Sequence, residues 1–238
     1  PDMYEVLYRA MTETGADISV CGYFTSYTNC EKPSCSGGMT AVYDREEALK
    51  LILDDKVIKS YLVDKLYNRK VIVADQPGSY YYEDYATLFK WFDAADRVSV
   101  VETPMYHYRQ RKGSTDHDGD PKKKYHFFLA EKERCSYLTR SGIFPELHQA
   151  FAAKVVRVGL REIKGIVRKC PPGDVSDHYI KCIKSELGAF MPVRIGSLGF
   201  FRWIVLKLLF LCPDIYFFMM KISIRGKRKV RNAVNLYD

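Results

Sequence analysis

The sequence predicts an α/β unit with few strands, followed by a helical C-terminal extension. Three observations predict it. Short alternating segments are interleaved with helical-period stretches up to about residue 120, while no segment beyond residue 121 reads as a strand. The composition, 47% hydrophobic and 14% aromatic over 238 residues, supplies enough core for one domain with an extension and excludes a disordered chain.

The elements follow in order. Tyr4, Leu7, Tyr8 and Met11 recur at helical spacing, and Gly15 stops that helix. The chain starts at Pro1 without a methionine, so its start is expected to be a cut, with Pro1-Asp2 punctuating a helix whose preceding strand lies upstream. Residues 17–24 alternate as a strand does, 25–38 read as loop, and 39–43 form a short strand. Asp44 then caps a helix carrying Ala48, Leu49 and Ile52. Leu62, Val63, Leu66 and Tyr67 predict a helix over 60–71, and Pro77-Gly78 a turn. From Glu83, the residues Tyr85, Leu88, Phe89 and Phe92 mark the cleanest helix, ending near Ala95 and Asp96. Residues 97–101 read as a strand, broken at Thr103-Pro104 and continued in extended form over 105–109.

The polar stretch 112–124, with Gly113, Gly119 and Pro121, predicts a loop or linker. The boundaries follow as 1–120 for the α/β unit, 121–196 for the helical extension and 197–238 for an apolar and basic tail. Leu147, Phe151, Val155 and Val158 make a helical stripe, Pro171-Pro172-Gly173 ends it, and 174–187 form a further helix. In the tail, Arg202, Lys207, Pro213 and Asp214 interrupt the apolar run and argue against a membrane span. Two interfacial helices fit better. Trp203 and the phenylalanines would lie at headgroup level, with Lys221 and the run Arg225, Lys227, Arg228, Lys229 and Arg231 meeting anionic lipid. A buried helical pair with a basic end is the alternative.

The formal net charge of +8 points to an anionic partner: nucleic acid, phospholipid headgroups or a diphosphate-bearing substrate. No nucleic-acid motif is present, and the basic residues gather beside the apolar tail, so no nucleic acid is expected. The seven cysteines are odd in number and contain no CxxC pair, which disfavours zinc and a disulfide framework and predicts a reducing, cytoplasmic setting.

Three segments carry chemistry. They are Val63-Asp64-Lys65-Leu66-Tyr67-Asn68-Arg69, Tyr82-Glu83-Asp84-Tyr85-Ala86-Thr87-Leu88-Phe89, and the run from Pro104 through Tyr106-His107-Tyr108-Arg109-Gln110-Arg111 to Thr115. In this order and spacing they resemble the second half of the inverting family 2 glycosyltransferases that build bacterial capsular and other surface polysaccharides. The start at Pro1-Asp2-Met3-Tyr4 resembles the stretch just after that family's metal-binding aspartates. The resemblance covers residues 1 to 115 and departs from the family at Val63, where a tryptophan is usual, and at Asp64, where an asparagine is usual.

The resemblance implies a partial GT-A (nucleotide-diphospho-sugar transferase) fold and transfer of a sugar from a nucleotide donor to a glycan or lipid-linked acceptor. It implies Asp84 as the general base and Glu83 as a residue orienting the acceptor or the local backbone. A helix start favours the ionised carboxylate, so positioning must supply more of the rate than basicity. Acidic residues also open helices merely to complement the dipole, and that reading of the pair stands beside the catalytic one.

Arg109 and Arg111 lie two apart, so on an extended segment they share a face that could hold a diphosphate; a solvated basic loop is the other reading. Lys112, Ser114 and Thr115 could add contacts. His107 is a substrate-binding candidate, although a histidine between two tyrosines more often packs. Tyr82, with Tyr80 and Tyr81, offers either an acceptor platform or structural packing. The complete family enzyme is expected to use a divalent metal, Mg or Mn, with ligands outside this chain. Asp116-His117-Asp118-Gly119-Asp120 has suitable residue types but follows the acceptor motifs and reads as a solvated acidic turn.

The chain alone is therefore expected to be inactive, peripheral on the inner face of the cell membrane, and dependent on a nucleotide-binding half. The alternative is a basic membrane-associated module or truncated remnant that binds lipid or a partner without catalysis.

Overall fold

A computed structural model describes residues 2–73, 81–110 and 119–234, with side chains to residue 223. Pro77-Gly78, Tyr80, Arg111, Lys112, Ser114, Thr115, Asp116, His117 and Asp118 lie outside the described residues, as do the side chains of the basic run from Arg225. The chain divides into two units, Pro1–Asp118 and Gly119–Asp238.

In the first unit, helix α1 (Met3–Thr14) ends where Gly15 turns left-handed at φ 65° and returns its N–H to Met11 O. The strands are β1 (Ile18–Ser26), β2 (Glu31–Pro33), β3 (Ala41–Asp44), β4 (Lys65–Tyr67) and β5 (Arg97–Arg109). They form one mixed sheet in the order β2-β1-β5-β3, with β4 also on β1. Only β1 and β5 run parallel; the other described pairs are antiparallel. Strand β2 falls within the stretch that reads as loop. Its three residues are all exposed, so it carries no apolar alternation to announce it.

The predicted helix over 60–71 is corrected. Residues 65–67 are extended and pair with Ile18 to Val20, and Arg69–Val71 make a single 3-10 turn. The apolar spacing suits a helix, but the segment is tied down on both sides of the strand, to β1 by Cys21 N to Asp64 O (3.0 Å) and to the residue just before β1 by Asn68 N to Asp17 O (2.8 Å). Sheet pairing overrides the local pattern.

Nor does Thr103-Pro104 break the last strand. Cys21 lies opposite Val101, Gly22 opposite Pro104 and Tyr23 opposite Tyr106, so β5 bulges its extra residues on both sides of Pro104 and the proline sits at that irregularity. Gly22 is required there: a Cβ would stand 3.0 Å from Pro104 Cα and 2.5 Å from Cys35 Sγ. Helix α1 covers one face at Cys21 and Val101. Helix α2 (Arg45–Asp54), opened by a complete capping box between Asp44 and Glu47, packs on β3, β5 and helix α3 (Glu83–Asp93).

The second unit contains no strand among its described residues; its α-helices are α4 (Pro121–Ser141), α5 (His148–Lys169), α6 (Asp174–Leu187), α7 (Ile195–Leu198), α8 (Phe200–Leu211) and α9 (Pro213–Val234). Asp120 caps α4, accepting from Lys122 N, with Pro121 in the first turn. Val155, Val156, Ile163 and Ile183 are fully buried in its core, which α8 and α9 enter with Leu206, Leu209, Tyr216 and Met220. Trp203 packs against that core, with Lys207 Nζ 5.3 Å from its ring centroid. The other sides of α8 and α9 leave Phe201 82% and Phe218 65% exposed. Among the described residues no helix is long and apolar enough to cross a membrane.

Candidate functional site

The acidic pair opens α3 as the sequence predicts. Tyr82 precedes it in the left-handed region (φ 66°, ψ 35°), and its carbonyl accepts the first helical bond from Ala86 N at 3.0 Å. This strained entry puts Glu83 and Asp84 in the first turn, where carboxylates complement the helix dipole. All three side chains are half-buried. Asp84 Oδ1 accepts from Tyr85 N at 2.6 Å.

Asp84 lies near Tyr67, the last residue of β4. Burial first, and then the charges of Asp64 and Asp84, push the Tyr67 hydroxyl far above its ordinary range and keep it protonated. That hydroxyl donates to Leu62 O at 3.3 Å, and the Tyr67 ring meets Trp91 of α3 edge-on at 5.2 Å.

Behind Tyr67 stands a buried ion pair that sequence reasoning missed. Lys65 Nζ and Asp64 Oδ1 are 2.6 Å apart, with side chains 0% and 2% exposed. The ammonium also donates to Lys59 O and Tyr61 O, both at 2.7 Å. Burial pushes the Asp64 carboxyl up and the Lys65 ammonium down, and each shift is opposed by the partner's charge. Adjacency of Asp64 and Lys65 was visible, but nothing in a charged pair of neighbours signals that the fold encloses it.

Tyr61, held through its carbonyl, lays its ring parallel to Tyr108 at 5.3 Å and 6°, and meets Tyr23 edge-on at 5.5 Å. The Lys65 ammonium, through Tyr61, thus links the β4 segment to Tyr108 on β5, while Tyr67 meets α3 at Trp91 and feels the charge of Asp84.

His107 and Arg109 belong to a second group at the same end of β5. The His107 ring stacks on Phe24 at 4.9 Å, and its Nδ1 is 2.9 Å from Glu31 Oε1. Ser26 Oγ donates to the same oxygen at 2.6 Å. The Ser26 bond first, then His107 and Arg109, hold the Glu31 carboxyl below its usual value. Arg109 and His107 are exposed. The Arg109 guanidinium therefore acts beside a carboxylate rather than in a purely cationic patch, and Arg111 lies outside the described residues. Glu31 and Tyr61 were not expected from sequence; Tyr61 carries only the weak signal of a tyrosine just before the Lys65-Leu66-Tyr67 element.

Among the described residues, no group of three or more His, Cys, Asp or Glu is placed to hold a metal ion. Compared with known protein families and with curated proteins, the chain matches no family model and no curated sequence.

Proposed function

We propose that the first unit carries the acceptor side of an inverting glycosyltransferase of the GT-A fold. It transfers a sugar from a nucleotide-sugar donor to a glycan or lipid-linked acceptor in surface polysaccharide synthesis at the inner face of the cell membrane. The observation that supports this is that the β4 segment meets both α3, at the Tyr67–Trp91 ring contact, and β5, through Lys65, Tyr61 and Tyr108, so that the elements carrying the three motif segments pack together.

In the proposed reaction, the Asp84 carboxylate takes the proton of an acceptor hydroxyl as that oxygen bonds to the anomeric carbon. The bond from this carbon to the nucleotide diphosphate breaks on the opposite face, the diphosphate departs with the bonding pair, and configuration inverts. Glu83 positions the acceptor, the Tyr61 and Tyr108 rings offer apolar faces to its sugar, and Arg109 lends positive charge toward the departing diphosphate. A divalent metal would hold the donor diphosphate in the complete enzyme. Among the described residues no cluster is placed to hold that group, and its ligands would come from the donor-binding half.

The test is to join the chain to a nucleotide-binding GT-A half, supply a set of nucleotide sugars with an acceptor, and read the anomeric configuration of the product by NMR. Transfer with inversion is expected. A retained configuration, or no transfer from any donor, contradicts the proposal and favours the second reading, a lipid-binding or partner-binding module without catalysis. That second reading draws on the exposed apolar sides of α8 and α9.

A further inference from the structure

Helices α5, α8 and α9 line a half-open cavity of about 460 Å³. This is within the range of roughly 300–1,000 Å³ in which proteins seat small ligands. Its chemistry is divided. Leu160, Leu208, Tyr216 and Met220 supply an apolar floor, and all but Leu208 are buried. Arg157, Arg161 and Lys164 come from one stripe of α5 at spacings of four and three, and Arg202 faces them from the first turn of α8.

The cations are not all used internally. Arg157 donates to Ser197 O at 3.3 Å and Arg161 pairs with Glu162 at 2.7 Å, with its side chain still 60% exposed. Lys164 and Arg202 make no ion pair among the described residues. An apolar cavity with a cationic rim suits a ligand with a hydrocarbon chain and an anionic head, because each part then meets its own kind of surface. Phe201 and Met219 line the cavity and are 82% and 55% exposed, so its apolar lining runs continuously onto the outward side of α8 and α9. That continuity favours a ligand drawn from a bilayer over one taken from water.

We infer that this cavity is a binding site for one anionic phospholipid, its phosphate against Lys164, Arg202, Arg157 and Arg161 and part of an acyl chain on the floor below. The site lies wholly in the second unit, and its success or failure is independent of the Asp84 chemistry. It turns a generally basic, apolar surface into one with lipid selectivity.

Binding of the full chain to monomeric alkyl phosphates, measured by calorimetry, tests this. Affinity is expected to exceed that for inorganic phosphate and to rise by about fourfold for each methylene that enters the cavity. Alkylphosphocholines of equal length are expected to bind at least about tenfold more weakly, as is alkyl phosphate to the Lys164→Glu/Arg202→Glu variant. Val205→Trp, which keeps every charge and fills the cavity from a partly exposed position, is expected to abolish the chain-length dependence. Vesicles containing phosphatidylglycerol should then retain the native chain on flotation where phosphatidylcholine vesicles do not. Equal affinity for octyl phosphate and inorganic phosphate overturns the proposal. So does equal affinity for the zwitterionic probe, or a folded Val205→Trp chain that binds octyl phosphate as the native one does. If circular dichroism shows that Val205→Trp does not fold, the chain-length series on the native protein decides.

Discussion

Lys65 distributes its ammonium protons to Asp64 Oδ1, Lys59 O and Tyr61 O, with no exposed surface of its own. Replacing it by methionine keeps the length of the side chain but leaves a buried carboxylate and two carbonyls without their donor. Breaking one side of a buried pair costs about 3–5 kcal/mol, so Lys65→Met is expected to lower unfolding free energy by that order, read by urea titration with circular dichroism. Asp64→Leu/Lys65→Met removes both charges and is expected to recover much of the loss, because the orphaned carboxylate accounts for most of it. A double variant as unstable as the single one contradicts this account. The sequence made the Lys65-Leu66-Tyr67 segment visible as a motif but gave no sign of its burial. Two adjacent opposite charges usually mark a solvated surface, and only the pairing of β4 with β1 closes them in.

At the scale of elements, punctuation was legible and short pairing was not. Gly15, Asp44 and the Pro171-Pro172-Gly173 run fixed helix ends because each acts through its own backbone or side chain. Strands β2 and β4 are three residues each, too short for a period of two to stand out, and both owe their conformation to β1. Close helix packing was equally hidden. A Cβ on Gly159 of α5 would lie 2.8 Å from Leu187 Cδ2, 2.9 Å from Cδ1 and 3.1 Å from Cγ. Leu187 is completely buried, so its side chain can yield only by shifting within the core. Gly159→Ala gains up to about 1 kcal/mol in helix propensity, yet overpacking of a filled core costs roughly 1–3 kcal/mol. A net destabilisation is expected, seen as a Tm lower by a few degrees in thermal unfolding. An unchanged or raised Tm would show that α6 yields there.

For the whole molecule, the order of the motifs along the chain was readable, while the route joining them in space was not. Glu83-Asp84 and the Tyr108-Arg109 element stood out through the family resemblance; Tyr67, Lys65 and Tyr61 acquire their connecting role only when β4 and the segment before it pack beside β1 and β5. The excess of positive charge was likewise readable as a number, whereas its placement at the mouth of an apolar cavity needed three helices brought together. The central claim is that Asp84 removes the acceptor proton. The most direct measurement is kcat and KM for sugar transfer by the chain joined to a nucleotide-binding half, compared between Asp84 and Asp84→Asn. Loss of a general base predicts a fall in kcat of about 10²–10⁴ with little change in acceptor KM and an unchanged circular dichroism spectrum. An Asp84→Asn enzyme that retains native kcat contradicts the account.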